Sequence, residues 1–446
     1  MYYLIGFCIL FSISLNAQET MSYTQIDSAS YVDFMNNDFK KLKKTGRIAK
    51  KEKVDFYYLQ MRLGIVSYGK NKYEYALTHF EKAFGMNPAD TLVQEYLYYA
   101  YVLTGRIENA NSLASKLPVY FQQKVGFKKK KIDSIAFGLN SFTNNNINEN
   151  QTINYVSPNY QRGETVLNGS VYGMNILVEH ARKNRFNVYN KLSVFQTKSL
   201  GIEQFTNPVI KKIKSYNNIQ LQYNLGVSYQ SQKGYQISGG FGFFHTNSNT
   251  LLAQPAQSTQ PSVPSKEGSI VFSDLSNTYN NVLGSVSFGK RMKYFNPSVS
   301  LTFSNLYAVN QFQQEFSLTY YPFGNQKFFG STSYAFIQDD GNDRNVFSQK
   351  IGVKVFKSIW LEGKYSVGNL SNYMSRNGFD SYNTADAVKL NTGLDLHVYS
   401  KRLEYIFSYS YQVREATYNQ YTSTTFDIKK FNYINNNFSI TFKWKF

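Results

Sequence analysis

The chain has 446 residues, a formal charge of +19 and a mean hydropathy of −0.41. Charged residues make up only 17%, Tyr (38) and Phe (36) are heavily used, and the cations look scattered along the chain rather than gathered on a nucleic-acid-binding face. No internal run approaches the ~20 apolar residues a spanning helix needs, so any membrane crossing must use strands.

Residues 1–17 read as an export signal, with an apolar core from Leu4 to Leu15 and a small-residue cleavage site at Asn16-Ala17, although no Lys or Arg precedes the core. That core is too short to span a bilayer. Cys8, the only cysteine, lies inside it, so the exported chain has no disulfide, thiol chemistry or cysteine metal site.

Residues 18–125 follow a helical pattern. Small residues at Gly64, Ala76 and Ala83 let two antiparallel helices approach closely, Leu63 and Tyr73 add apolar contacts, Phe80 fills the wedge and Pro88 stops the second helix. A shift of 34 residues brings Leu97, Tyr101, Gly105, Ala110 and Leu113 into the same pattern, with Tyr98 in place of Gly64. Upstream, Tyr31 to Lys51 reads as a degenerate helical pair. The pattern resembles the tetratricopeptide (TPR) repeat, a helix–turn–helix unit whose stacks offer a concave face to protein partners. Helices that only plug or brace the C-terminal part of the chain are the alternative.

Residues 126–131 form a basic linker. Lys128-Lys129-Lys130-Lys131 suits an anchor to phospholipid headgroups beside a membrane, and a solvated linker is the plainer alternative.

From Ile132 the apolar period changes to two. Leu403, Tyr405, Phe407, Tyr409, Tyr411 and Val413 alternate with Glu404, Ile406, Ser408, Ser410, Gln412 and Arg414. Fourteen such segments are predicted, at 132–142, 165–179, 185–197, 214–230, 234–245, 277–290, 294–307, 311–322, 326–338, 345–356, 358–369, 384–399, 402–414 and 432–446. Short turns alternate with longer connections at 143–164, 198–213, 246–276, 339–344, 370–383 and 415–431, as in a barrel with periplasmic turns and external loops. The 308–310 connection is short where a long one is expected, which leaves twelve or sixteen strands open. The Pro-rich stretch in 246–276 reads as a mobile external loop.

The final strand places Phe438, Ile440, Phe442, Trp444 and Phe446 on one face and Ser439, Thr441, Lys443 and Lys445 on the other. A strand ending on an aromatic residue marks an outer-membrane barrel and serves as the signal for barrel-assembly machinery. The predicted fold class is therefore α+β multidomain: N-terminal TPR-like helical hairpins at 18–125, then an antiparallel transmembrane β-barrel over 132–446.

If the apolar parity faces lipid, Lys350, Lys354, Glu362, Lys364, Lys389, Asp395, Glu404, Lys443 and Lys445 face the lumen. Charges of both signs either pair and fill the barrel or edge a selective water channel. Of the four histidines, His245 sits at a predicted outer rim near Ser248, where a lipid hydrolase would need a Ser–His pair. An ordinary rim residue is the favoured reading. Asp339-Asp340-Gly341-Asn342-Asp343 lacks the EF-hand spacing and reads as a tight turn. No cofactor, metal-ligand or nucleotide motif is present, so none is expected.

The whole resembles the TPR-plus-barrel outer-membrane proteins of Bacteroidota type, in the Asn-Ala-Gln signal end, the Tyr/Phe/Asn-rich strands and Tyr320-Tyr321-Pro-Phe-Gly-Asn325. Distant relatives by architecture export exopolysaccharide, with longer TPR arrays. The resemblance implies outer-membrane lipid around the barrel, a periplasmic protein partner on the helices, and a scaffold or channel for solute or polymer. An outer-rim lipid hydrolase or acyltransferase and a sealed structural barrel are the rival readings.

Overall fold

The computed structural model describes residues 21–446 except 129, 181–184, 256–269, 340, 377 and 385. The predicted export signal, Cys8 and the Pro-rich part of 246–276 lie outside the described residues. Packing divides the chain into two compact units, residues 1–100 and 101–446. Among the described residues no helix is long and apolar enough to cross a membrane, which leaves strands untouched by the criterion.

The first unit holds α1 (Tyr23–Met35), α2 (Phe39–Lys51), α3 (Tyr57–Gly69), α4 (Tyr73–Met86) and most of α5 (Thr91–Leu103). The first pair starts at Tyr23 rather than Tyr31. Ser22 accepts from the Gln25 backbone while the Gln25 side chain accepts from the Ser22 backbone, a capping box that the apolar spacing alone did not reveal. Asn37 and Asn71 take left-handed φ values of 55° and 57° in the turns after α1 and α3. Gly64 lies against the Phe80 ring so closely that an added Cβ would meet it at 2.5 Å. Leu63, Ala76, Phe80 and Ala83 are buried, Tyr73 meets Tyr68 edge-on, and Pro88 follows the Asn87 cap of α4.

The second unit contains the rest of α5, α6 (Ile107–Ala114), α7 (Val119–Lys124) and the sheet. Tyr101 and Ala110 are buried, and Gly105 takes φ +70° in the turn between α5 and α6. The sheet comprises β1 (Ile132–Asn144), β2 (Arg162–His180), β3 (Phe186–Thr206), β4 (Val209–Gln230), β5 (Tyr235–Pro255), β6 (Ile270–Lys290), β7 (Phe295–Ser304), β8 (Gln311–Tyr320), β9 (Phe328–Asp339), β10 (Asn342–Phe356) and β11 (Ile359–Gly368). A small inner hairpin of β12 (Met374–Ser375) and β13 (Asp380–Ser381) follows, then β14 (Ala387–Ser400), β15 (Leu403–Tyr421) and β16 (Phe426–Lys445).

All strands but the inner hairpin close into one fourteen-stranded antiparallel barrel, sealed where β1 meets β16. The short 308–310 connection is genuine: a single 3₁₀ turn, Leu306–Ala308, joins β7 to β8. Phe438, Phe442, Trp444 and Phe446 point outward and stay exposed, as do Phe407, Tyr409, Val286 and Phe288 on other strands. An apolar exterior around a hydrophilic interior is the arrangement hydrocarbon demands of a barrel.

Several predicted long loops are strand instead. The turn between β3 and β4 is two residues, the one between β15 and β16 runs over 422–425, and β5 and β6 continue to Pro255 and from Ile270. β3 has 21 residues, ~70 Å at ~3.4 Å per residue, whereas a tilted strand crosses a bilayer in about 9–11. These extensions carry polar residues on both faces, so the alternation that betrays a lipid-facing strand is absent from them. By contrast β7, β8 and β11 have only 10 residues each, leaving one side of the wall low.

Candidate functional site

The connection between β11 and β14, predicted as an external loop over 370–383, runs into the barrel. Its residues contact the wall at widely separated strands. On β8, Gln311 Nε2 donates to the Asn372 carbonyl at 3.0 Å, and Gln313 Nε2 donates to the Met374 carbonyl at 2.6 Å. Tyr373 donates to Glu315 at 3.2 Å. Across the lumen, Lys191 of β3 reaches the Phe379 carbonyl at 3.3 Å and Asp380 at 3.4 Å, and Asn224 of β4 donates to the Gly378 carbonyl at 3.3 Å. Asp386 accepts from Asn168 of β2 at 2.7 Å and from Tyr433 of β16 at 2.5 Å.

Apolar contacts pin the same segment. Met374 packs with Phe244, Leu283 and Leu306, while Leu370 and Tyr373 join Ala335, Ile337, Val346 and Val388. Gly378 has φ +78°, and a Cβ there would strike Leu283 at 2.3 Å, so this tip needs glycine for both conformation and space. Arg376 and Asp380 pair at 2.5 Å. Burial alone would raise the Asp380 carboxyl, but Arg376 and Lys191 outweigh it and hold it well below the usual range. Burial pushes the Asp386 carboxyl up, outweighing its hydrogen bonds from Tyr433 and Asn168 and the attraction of Arg414.

The segment borders an internal cavity of about 1520 Å³. Its wall is mostly neutral and hydrophilic, built from serine, threonine, asparagine and glutamine side chains on strands all round the ring, such as Asn175, Gln222, Ser300, Ser333 and Ser410. At the end of the barrel away from Ile132 and Phe446, Tyr155, Leu167 and Ile202 form a small apolar cluster with Tyr418 and Phe431. There β15 bends over β1 to pair directly with β2, matching Tyr418 with Thr165 and Tyr421 with Arg162.

Among the predicted lumen charges, Lys350, Glu362, Lys364 and Asp395 line the cavity. Lys350 faces Lys364 across β10 and β11, and Glu362 faces Asp395 across β11 and β14. Each lysine reaches diagonally, Lys350 to Glu362 and Lys364 to Asp395, so the four neutralise one another. Glu404 lies off the cavity and takes His397 Nδ1 at 3.1 Å and Lys445 at 2.9 Å. Lys443 pairs with Glu179 at 2.8 Å. Lys354 does not line the cavity; its amine lies 5.8 Å from the Trp360 ring centroid. Lys389 is a correction: a bulge between Val388 and Leu390 takes it off the lumen parity, and it pairs with Glu415 at 3.0 Å.

Glu362, Asp395 and His397 also form the one group among the described residues with three metal-capable ligand atoms within 4.8 Å of one another. Both carboxylates already hold lysines, so the cluster reads as part of the charge network. His245 donates from Nδ1 to Asn280 Oδ1 at 2.8 Å, and Ser248 lines the cavity on the opposite face of β5. The two are not brought together as a hydrolase pair. Asp339 pairs with Arg344 at 2.7 Å and forms the rung with Asn342 that closes the turn between β9 and β10.

No family model and no curated protein matches the chain. Among solved structures it is similar to a TodX monoaromatic hydrocarbon channel mutant at 10% identity, over 72% of this chain and 92% of that one, with a TM-score of 0.45. It is also similar to the Ralstonia pickettii toluene transporter TbuX at 8% identity (71% and 90%, TM-score 0.43) and to a Pseudomonas aeruginosa FadL homologue at 8% (70% and 90%, TM-score 0.41). The first of these is described as a channel and the second as a transporter.

Proposed function

We propose that the chain is an outer-membrane channel whose lumen is gated by the inward segment 369–386, with a periplasmic TPR-like region that docks a protein partner. The observation that carries the channel reading is a hydrophilic cavity inside a closed barrel, obstructed by one segment held through side-chain bonds. Strand ladders are costly to open because each pair buries backbone bonds in hydrocarbon. The segment's bonds come singly from the wall, each worth about 0.5–1.5 kcal/mol net, so it is the part able to move.

Support for the TPR-like reading comes from helix spacing. Helices start at Tyr23, Tyr57 and Thr91, and their partners at Phe39, Tyr73 and Ile107, so both series repeat every 34 residues. Tyr31 and Tyr58 stay exposed on α1 and α3, and the Arg62 guanidinium lies 5.3 Å and 5.8 Å from their ring centroids. Tyrosine and arginine are favoured at protein interfaces. Lys128, Lys130 and Lys131 suit headgroup contact beside the barrel.

Single-channel recording in planar bilayers tests the gate. Replacing 371–384 by a short Gly-Ser linker should raise unit conductance several-fold over the intact chain. Equal conductance would place the obstruction elsewhere and overturn the gate. The sealed-barrel reading is favoured by the Tyr155 cluster at the far mouth, and it expects no steps from either protein. Crosslinking in the periplasm tests docking: Tyr31→Ala with Tyr58→Ala should remove a partner band that the parent protein gives.

A further inference from the structure

One group of cations is gathered on a single helix in the folded chain. α2 carries seven in its 13 residues and no carboxylate. At ~100° per residue, Lys40, Lys43, Lys44, Arg47, Lys50 and Lys51 fall within one arc of about 120°. Leu42, Thr45 and Ala49, on the opposite side, are buried in the unit's core. Lys70 and Lys72, in the turn between α3 and α4, add to the same patch: burial and these two cations together hold the Lys43 amine below its usual range. Lys41, off the arc, pairs with Asp38 at 3.0 Å. Among the described residues the six arc cations have no carboxylate within ion-pair reach.

Like charges three and four residues apart weaken a helix, so such an arc is held at a cost in stability unless an anion meets it. Its shape narrows the choice of anion. The face is the convex side of one helix and exposes no large apolar side chain along α2. Protein interfaces are built round buried aromatic or aliphatic anchors, which this face lacks. A headgroup layer asks only for positive charge over an extended surface. The barrel, where it is membrane-embedded as proposed above, keeps a bilayer at high local concentration for any surface of the same chain.

We propose that the α2 face, extended by Lys70 and Lys72, docks electrostatically on the anionic phospholipid surface of the membrane that holds the barrel. Leu42 and Ala49 are committed to the core, so the helix lies on the headgroups without inserting. Contact of this kind weakens as salt shortens the ~8–10 Å range of the attraction.

The test uses the full chain with Cys8→Ala and Lys44→Cys, labelled with bimane and reconstituted into vesicles containing a headgroup spin-labelled lipid. Phosphatidylcholine vesicles with about one-third phosphatidylglycerol should quench the label at least about threefold more than phosphatidylcholine alone, and high salt should abolish the difference. Lys40, Arg47, Lys50 and Lys51→Gln should also abolish it, with helix content checked by circular dichroism. Equal quenching in both lipids at low salt overturns the proposal, and that comparison needs no charge variant. Protection of the label by polyglutamate, without any phosphatidylglycerol effect, overturns it in favour of an acidic polypeptide. Conductance measured on the same vesicles reports the channel separately, so either reading can fail alone.

Discussion

Gln313 holds Met374 with both ends of its amide: Nε2 donates to the Met374 carbonyl at 2.6 Å, and Oε1 accepts from the Met374 backbone at 3.1 Å. A wall side chain thus imitates a neighbouring strand and gives the inner hairpin a partner that the ladder itself does not supply. Gln313→Ala would leave two buried backbone groups unpaired, at about 1–3 kcal/mol each. Single-channel traces of that variant should show frequent openings at the conductance of the 371–384 replacement. A trace like the parent's would mean the segment is held by its other contacts.

The two acids of the segment titrate with opposite sign. Asp380 is held below its ordinary value, so its stabilisation is complete above the unfolded value of ~3.9 and is lost only as pH falls below it. Asp386 is held above its ordinary value, so its contribution is present in acid and declines as pH rises through the folded value. As pH rises above the ordinary carboxyl range, gating should therefore respond to Asp386, and to the buried Glu315 on the wall, but not to Asp380. Asp386→Asn should reduce the pH dependence of open probability above the ordinary carboxyl range, while Asp380→Asn should raise open probability at every pH there.

Gly64→Ala tests the helical region. Its Cβ would sit 2.5 Å from Phe80, an overpacking worth about 1–3 kcal/mol. Thermal melts followed by helical circular dichroism should shift downward, with recovery when Phe80→Leu is added, and the barrel's heat-modifiable gel mobility should not change.

The lipid-facing parity can be tested on adjacent residues. Phe407 is exposed on the exterior and Ser408 lines the cavity. Phe407→Arg should cost about 2–4 kcal/mol in urea titrations of the protein folded into vesicles, and Ser408→Arg much less. Equal costs would remove the basis for a lipid-facing exterior.

Barrel, strand count and exterior were legible because hydrocarbon on one side and water on the other force a strict alternation, as in Leu403 to Val413. Beyond the bilayer that constraint ends. Lys211 and Lys212 on β4 and Ser248, Asn249 and Thr250 on β5 therefore looked like loop. The inner segment was illegible for a different reason: Asn372, Met374 and Gly378 are buried by partners distant in sequence, such as Gln311, Gln313, Asn224 and Leu283. Lys389 followed the expected parity until a one-residue bulge turned it. The arc on α2 was present in the sequence all along, but whole-chain charge averaged it away.

The bridge from β15 to β2 bears on how anything could leave this protein. β1, with 13 residues, is flanked by β16 and β2, and above its end β15, the strand after β16 in the ring, is tied to β2 by the Tyr418–Thr165 to Tyr421–Arg162 rungs. Parting the first strand from the last would thus mean unfastening a second clasp as well. Sideways opening into the lipid at that junction would therefore have to break two sets of rungs, which favours an axial path for the channel proposed above.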